Sequence, residues 1–361
     1  MNTIVQKLPA SSIMRQRGIS LVEIMVALTL SLLLTGAALT VYLGGRQSYR
    51  TNDALARLQE NARYVFEILG RDLRLAGFRG CAGENAKLTN TLNDAGAFLW
   101  NFGQPIYGYE AVSESDWNAT LDSAISDPLG GRDIVVARGA FGNGTRVLQQ
   151  PGNLDDPGLP GSADIKVTQE SGVAEGDIVL VTDCFAGAVF QITHKNLAGG
   201  FDNIVHNTGG TLIPGNATKQ LGKSYEGGEL QRISTKVYYI RNNPAGQPAL
   251  YRKEGAGDAE EMVEGVENMQ LLYGVDDAAN CGTGTAGDFS ADCYQTAEWV
   301  ESNGQWDNVV AVRVALLLRS VEEGVVDQAQ TYRFDGDTVT AADRRLYQAF
   351  ETTFTLRNRV N

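Results

Sequence analysis

One carboxylate, four cysteines and two histidines are the residues of this 361-residue chain whose placement could support chemistry. The carboxylate is Glu23, which lies five residues beyond Gly18 at the start of an apolar run. Behind it is a leader whose only charges, Lys7, Arg15 and Arg17, are basic. From Ile24 to Leu43 the chain has no charge at all. On insertion scales a carboxyl in such a stretch costs roughly 2.5–3.5 kcal/mol unless it is paired or near the interface, so it marks a functional position. A secretory signal carries its cleavage site after the apolar region and loses that region on cutting. Here the small residue, Gly18, comes before it. A cut between Gly18 and Ile19 would release a soluble basic leader and leave the hydrophobic segment on the mature chain.

The cysteines are Cys81, Cys184, Cys281 and Cys293. None forms a CxxC pair, and His194 and His206 are the only histidines, so a zinc site is poorly supported. In an exported domain an even cysteine count reads as disulfides, with three connectivities open. We favour Cys281 with Cys293, a local clip across a Gly-rich loop, and Cys81 with Cys184, tying a helix end to a central strand. Free buried thiols are the alternative that a cytosolic protein would favour.

Other constellations do not build a reaction site. Gly282-Thr283-Gly284-Thr285-Ala286-Gly287 fits GxGxxG by letters but lacks the preceding strand and following apolar helix that a dinucleotide needs. Asp276, Asp277, Asp288 and Asp292 in that loop are hard oxygen ligands without EF-hand spacing, and they read as a solvated loop. Asp183, Cys184 and His194 would suggest a cysteine nucleophile, which the disulfide reading of Cys184 removes. No catalytic residue, cofactor site or metal site is expected, and the chain does not read as an enzyme.

The elements that carry these residues follow from periodicity. Twenty uncharged residues make a helix of roughly 30 Å, one hydrocarbon core. The leader's cations suit a cytoplasmic N-terminus. Leu55, Leu58, Ala62, Val65, Leu69, Leu73 and Ala76 then recur at spacings of three and four, one apolar stripe. Gly44-Gly45 is a candidate bend, and Gly77 and Gly80 are stop signals. Beyond the helix, residues 81–131 read mostly as loop, as do 142–162 and 198–228. Strands are expected at Asp133–Arg138, Asp177–Thr182 and Val189–Thr193. Leu230–Arg241 and Ala249–Arg252 read as a hairpin, with further strands at Val263–Val275, Asn308–Arg319, Gln330–Phe334 and Ala349–Arg357. Ala341–Tyr347 reads as a helical turn. The expected class is α+β: a long N-terminal helix, then a globular head built on an antiparallel sheet. Formal charge is −13, and −16 once the leader is removed, which disfavours nucleic acid as a direct ligand.

The Arg-Gln-Arg-Gly-Ile-Ser-Leu-Val-Glu junction at residues 15–23 closely resembles the prepilin motif of type IV pilins and type II secretion pseudopilins. The family more often has Phe first and Thr next, where this chain has Ile19 and Ser20. The resemblance implies that a prepilin peptidase cuts after Gly18 and methylates Ile19. It also implies that Glu23 pairs with the free amine of a neighbouring subunit's first residue during filament assembly. The Ala76–Cys81 junction, Glu264–Glu267 with Leu271–Asp276, Val309–Ser320, and Asp343–Tyr347 with Leu356–Arg359 are similar to PilW-type minor pilins. The implied organisation is a leader (1–18), a transmembrane and filament helix (19–43), its amphipathic continuation (44–80) and a head (81–361). The implied function is a minor pilin that helps to initiate a type IV pilus and form its tip complex, supporting adhesion and twitching motility. A J-type pseudopilin of type II secretion is the alternative. The implied partners are prepilin peptidase, other minor pilins, the major pilin, a tip adhesin and the inner membrane. The chain would be a single-pass inner-membrane protein, N-terminus cytoplasmic, and later part of a pilus at the cell surface. Its head would be periplasmic or extracellular.

Overall fold

The computed structural model describes residues 18–83, 86–153, 156–160 and 162–359. The leader with Lys7, Arg15 and Arg17 lies outside the described residues. The chain divides into two compact units between Asp53 and Ala54. In the first, helix α1 (Leu21–Arg74) begins, and every residue from Leu21 to Leu43 is exposed. Among the described residues this helix alone is long and apolar enough to cross a membrane. The bend expected at Gly44-Gly45 is not present as a break, because the helix runs through both glycines. Each costs about 1 kcal/mol relative to alanine, but propagating an already nucleated helix tolerates that cost.

The second unit opens with the rest of α1. Leu58, Ala62, Val65, Ile68, Leu69 and Leu73 are buried, while Arg57, Glu60, Arg63, Glu67, Arg71 and Arg74 are exposed. Burying each of the larger aliphatics contributes roughly 1.5–3 kcal/mol. The helix stops because Gly77 turns left-handed, with φ 76°, and its N–H leaves the helix for the Arg138 carbonyl at 2.8 Å.

The main sheet has twelve strands among the described residues. Its labelled members are β1 (Ile106–Tyr109), β2 (Ile134–Ala140), β3 (Thr145–Gln149), β4 (Ile178–Thr182), β5 (Ala186–Gln191), β6 (Glu229–Asn242) and β7 (Pro248–Glu254). The long β6 is its hub. Residues Glu229–Arg232 pair antiparallel with β4, and Ile233–Asn242 pair with β2 and β7. Pairing is antiparallel apart from Lys87–Asn90, which runs parallel to β5. The second sheet orders Cys293–Gln295, β8 (Val266–Val275), β9 (Val309–Arg319) and β10 (Tyr347–Thr355). Its apolar face and that of the β2–β6–β7 region close over α1 in one core, to which Tyr238, Leu271, Tyr273, Val314 and Phe354 contribute. A separate core under β4 and β5 gathers Val147, Ile165, Phe190, Ile204 and Leu230.

Several loop and strand expectations are corrected. Residues 142–162 are not simply an exposed loop: β3 lies within them, with Val147 fully buried, and Gly152–Asn153 pairs with Asp156–Pro160. Within 198–228, Phe201–Val205 forms a hairpin with His194–Ala198, turned by Gly199-Gly200 at φ 62° and 82°. A two-glycine turn with both φ positive is a standard hairpin connection, and its signal lay in the Gly-Gly pair. The stretch 263–275 is two strands, because Gly265 turns at φ 81° between Ala259–Glu264 and β8. No helical turn forms at 341–347. There Ser320 Oγ donates to the Glu322 carbonyl and accepts from Leu346 N–H, and extended backbone enters β10 at Tyr347.

The end of α1 approaches β2 closely. A Cβ added to Gly139 would lie 2.4 Å from the Leu75 carbonyl oxygen, backbone that has nowhere to go. Gly139→Ala is expected to cost about 1–3 kcal/mol. It should lower the urea midpoint of the detergent-solubilised chain, followed by tryptophan fluorescence.

Candidate functional site

Two places carry the residues singled out above, one in each unit. In the first unit, Gly18 and Ile19 precede α1, and Ile19 is 70% exposed. Ser20 caps the helix: its Oγ accepts from the Glu23 N–H at 3.2 Å, and its carbonyl accepts from Ile24 N–H at 3.2 Å. Ser-x-x-Glu before an apolar run is a capping-box signature, a local signal not used in the sequence reading. Glu23 therefore also has a local reason to be here, since an acidic side chain in the first turn opposes the positive end of the helix dipole. Further along, Thr29, Thr35 and Thr40 donate their hydroxyls to the carbonyls of Val26, Ser31 and Ala37. Hydroxyls satisfied within their own helix can enter an apolar medium without leaving a donor unpaired.

In the second unit the site is the seat of α1. Asp72 points inward from the helix, 1% exposed. Its carboxylate takes Lys236 Nζ at 3.1 Å and the Tyr238 hydroxyl, both from β6. Lys236 also stands 3.9 Å over the Phe141 ring. Burial, and then the Asp72 charge, push the Tyr238 hydroxyl far up, so it stays a neutral donor. The exposed carbonyls at the helix end are met by the other end of the chain: Asn358 Nδ2 donates to Arg74 O at 3.2 Å and Ala76 O at 3.3 Å. Leu356, fully buried, anchors that segment in the same core. Asp72, Lys236 and Asn358 were missed as site residues. Asp72 adjoins Leu73 on the buried stripe, and a carboxylate there was the available signal.

Disulfides join Cys81 to Cys184 and Cys281 to Cys293, with Cα separations of 4.6 and 5.6 Å. The first ties the segment after α1 to the β4–β5 turn; the second closes the 276–293 loop. That loop uses its acids internally. Asp276 accepts Gly287 and Phe289 N–H at 2.6 and 2.8 Å. Asp277 caps Ala278–Cys281, Asp288 accepts Ser290 N–H, and Asp292 accepts Thr285 N–H. Among the described residues no group of three or more His, Cys, Asp or Glu is placed to hold a metal. The structure does not assemble the Asp183, Cys184 and His194 constellation either. Cys184 is bonded to Cys81, Asp183 pairs with Lys223, and His194 Nδ1 meets Glu175 at 3.1 Å. His206 is buried against Phe190 and held down to about 4 by that burial.

Comparison with known families matches both places. Residues 13–39 match the prokaryotic N-terminal methylation motif, and residues 237–358 match the family described as Type IV Pilus-assembly protein W. The methylation motif ahead of a helix docked in a β-rich head is the make-up of a type IV pilin. Over those residues the chain is similar to the PilW-type minor pilins. No curated protein matched the chain, and no solved structure did. The PilW match begins inside β6 and ends at Asn358, so it spans Tyr238, the sheet that covers α1, and the residue that caps the helix end. Both matched families describe pilus assembly and N-terminal methylation rather than an enzyme activity.

Two outcomes are expected. Asp72→Ala leaves Lys236 buried without its counter-charge and should cost about 3–5 kcal/mol, whereas Asp72→Leu combined with Lys236→Met should recover most of that loss. Both are read from urea midpoints. Replacing Cys81 and Cys184 together with serine should cost roughly 3–5 kcal/mol by releasing a loop of about a hundred residues, read the same way.

Proposed function

We propose that this minor pilin acts in the initiation of a type IV pilus and in the complex at its tip, and so supports adhesion and twitching motility. The observation that carries the proposal is the presence on one chain of the methylation motif, at residues 13–39, and the PilW region, at residues 237–358. The first gives entry into the pilin pathway and the second favours a pilus over a secretion pseudopilus. In this reading the leader (1–18) is removed after Gly18 by prepilin peptidase, and Ile19 becomes the methylated N-terminus. The 19–43 helix anchors the precursor in the inner membrane, with its N-terminus cytoplasmic. Residues 44–80 continue it, and the head (81–361) faces the periplasm and then the exterior. Glu23 meets the amine of an adjacent pilin's first residue and sets axial register. Partner minor pilins and the major pilin supply the surrounding helices, and a tip adhesin is displayed above them. A head of this size favours a low-copy position over repeated packing along the filament.

Mass spectrometry of the membrane-extracted protein tests the first step. A methylated N-terminus at Ile19 is expected, and Gly18→Ala should retain the leader. An intact leader in the unaltered protein would sink the proposal. Glu23→Ala should be processed normally yet reduce surface pili, counted by electron microscopy. Labelled protein should lie at pilus ends and not along their length.

A further inference from the structure

Two acids outside the α1 seat, Asp133 buried and Glu110 half-buried, stand where the two sheets meet. Glu110 directly follows β1, and its Oε2 accepts Ala297 N–H at 3.2 Å. Ala297 opens α2 (Ala297–Ser302), which leads into the second sheet. Asp133, directly before β2 and 1% exposed, accepts Ala111 N–H at 2.9 Å and, from β8, Leu271 N–H at 2.8 Å. Its own N–H donates to Met269 O at 3.0 Å. Asp133 thus bridges from the first sheet to the second, and Glu110 from the first sheet to α2. Between them lies Tyr273 of β8, fully buried, with its hydroxyl unpartnered. Tyr107 and Trp306 pack in the same seam, with ring centroids 4.9 Å apart.

The charges that face this pair have the same sign. Glu110 acts on Asp133, and Asp335 of the 331–340 hairpin acts on both. Glu298 of α2 also acts on Glu110. Glu301 of α2 is hydrogen-bonded to Trp306 Nε1. The nearby cation, Arg138, acts on Tyr107 and Tyr109, and its guanidinium is taken by the Phe98 and Gln104 carbonyls. Asp122 faces Tyr109. Two neighbouring carboxyls in an apolar seam without a cation between them cannot both ionise cheaply.

We infer that Glu110 and Asp133 form a proton-holding clamp between the two sheets, closed when Glu110 is protonated and loosened when it ionises. A neutral Glu110 keeps its acceptor for Ala297 without placing a charge beside Asp133. An ionised one brings a charge into the seam, where Asp335 and Glu298 repel it. In support, burial first and then Asp335 and Glu298 push the Glu110 carboxyl up to about 7, against the Ala297 N–H bond, which favours its charged form. Burial, and then Glu110, hold Asp133 well above the usual carboxylate range. An acid raised in the folded state contributes stability that is fully present below the ordinary carboxylate range and lost as pH rises through about 7. The clamp therefore tightens in acid. This inference stands on the head alone and is independent of the proposed pilus role.

Hydrogen exchange of the full chain in detergent tests it, with rates corrected for the chemical pH dependence of exchange. Peptides covering β1, α2 and the centre of β8 are the ones to follow. Between pH 5.5 and 8 their protection is expected to fall by more than about tenfold, while peptides from the β4–β5 core keep theirs. Glu110→Gln, which keeps an acceptor but cannot ionise, should remove that fall. Glu298→Gln with Asp335→Asn, both at exposed positions, should move the fall to lower pH by withdrawing negative neighbours. Equal protection at both pH values in the unaltered protein would overturn the inference. So would an unchanged pH dependence in Glu110→Gln, or in the surface pair should Glu110→Gln not fold.

Discussion

The seat of α1 in the head is the constraint on which the rest of the second unit depends. Its apolar stripe supplies the affinity, but a stripe alone is forgiving of rotation and of axial slip. Asp72 is not forgiving. A buried carboxylate must meet its cation, and Lys236 with Tyr238 offers the bonds that satisfy it in one orientation. Gly139 sets how closely β2 can approach the helix end, and Asn358 closes that end with a side chain from the far terminus. Helix position is thus fixed by three parts of the chain that are remote in sequence.

The same arrangement explains why β6 is long and buried over most of its length. It holds Lys236 and Tyr238 against the helix, pairs with β2 over Ile233–Tyr238 and with β7 over Lys236–Asn242, and pairs with β4 before them. A load borne by α1 would pass into β6 and so into both parts of the sheet. The Cys81–Cys184 bond adds a covalent tie from the segment after the helix to the β4–β5 turn. Core packing, a buried ion pair and a disulfide thus fasten the docked part of α1 and the segment after it to the head.

The aspartates of 276–292 accept backbone N–H groups that the Gly-rich turns leave unpaired, and the Cys281–Cys293 bond closes the loop around them. Composition cannot separate this use of carboxylates from calcium ligation, because both place short oxygen-bearing side chains in turns. The hydrogen bonds that these carboxylates accept appear only in the folded structure.

Much was legible in the sequence because it is local. Gly18, Ile19 and Glu23 are ordered by adjacency, the apolar run by simple length, and the α1 stripe by a period of three to four residues. The hairpin of β6 and β7 carries its turn residues beside its strands. Less legible were the strands within 142–162 and 198–228, whose glycines and prolines mask short elements that only sheet pairing stabilises. The separation of Ala259–Glu264 from β8 was hidden as well, because it depends on one left-handed glycine. Partnership across the chain could not be read at all: Asp72 with Lys236, Asn358 with the helix end, and Glu110 with Ala297. By itself the sequence determined the N-terminal methylation motif, the apolar helix and the class of the head, since each is set by neighbours in the chain. Which buried charges meet was decided only by the tertiary structure, because their energies depend on burial and distance between residues far apart in sequence.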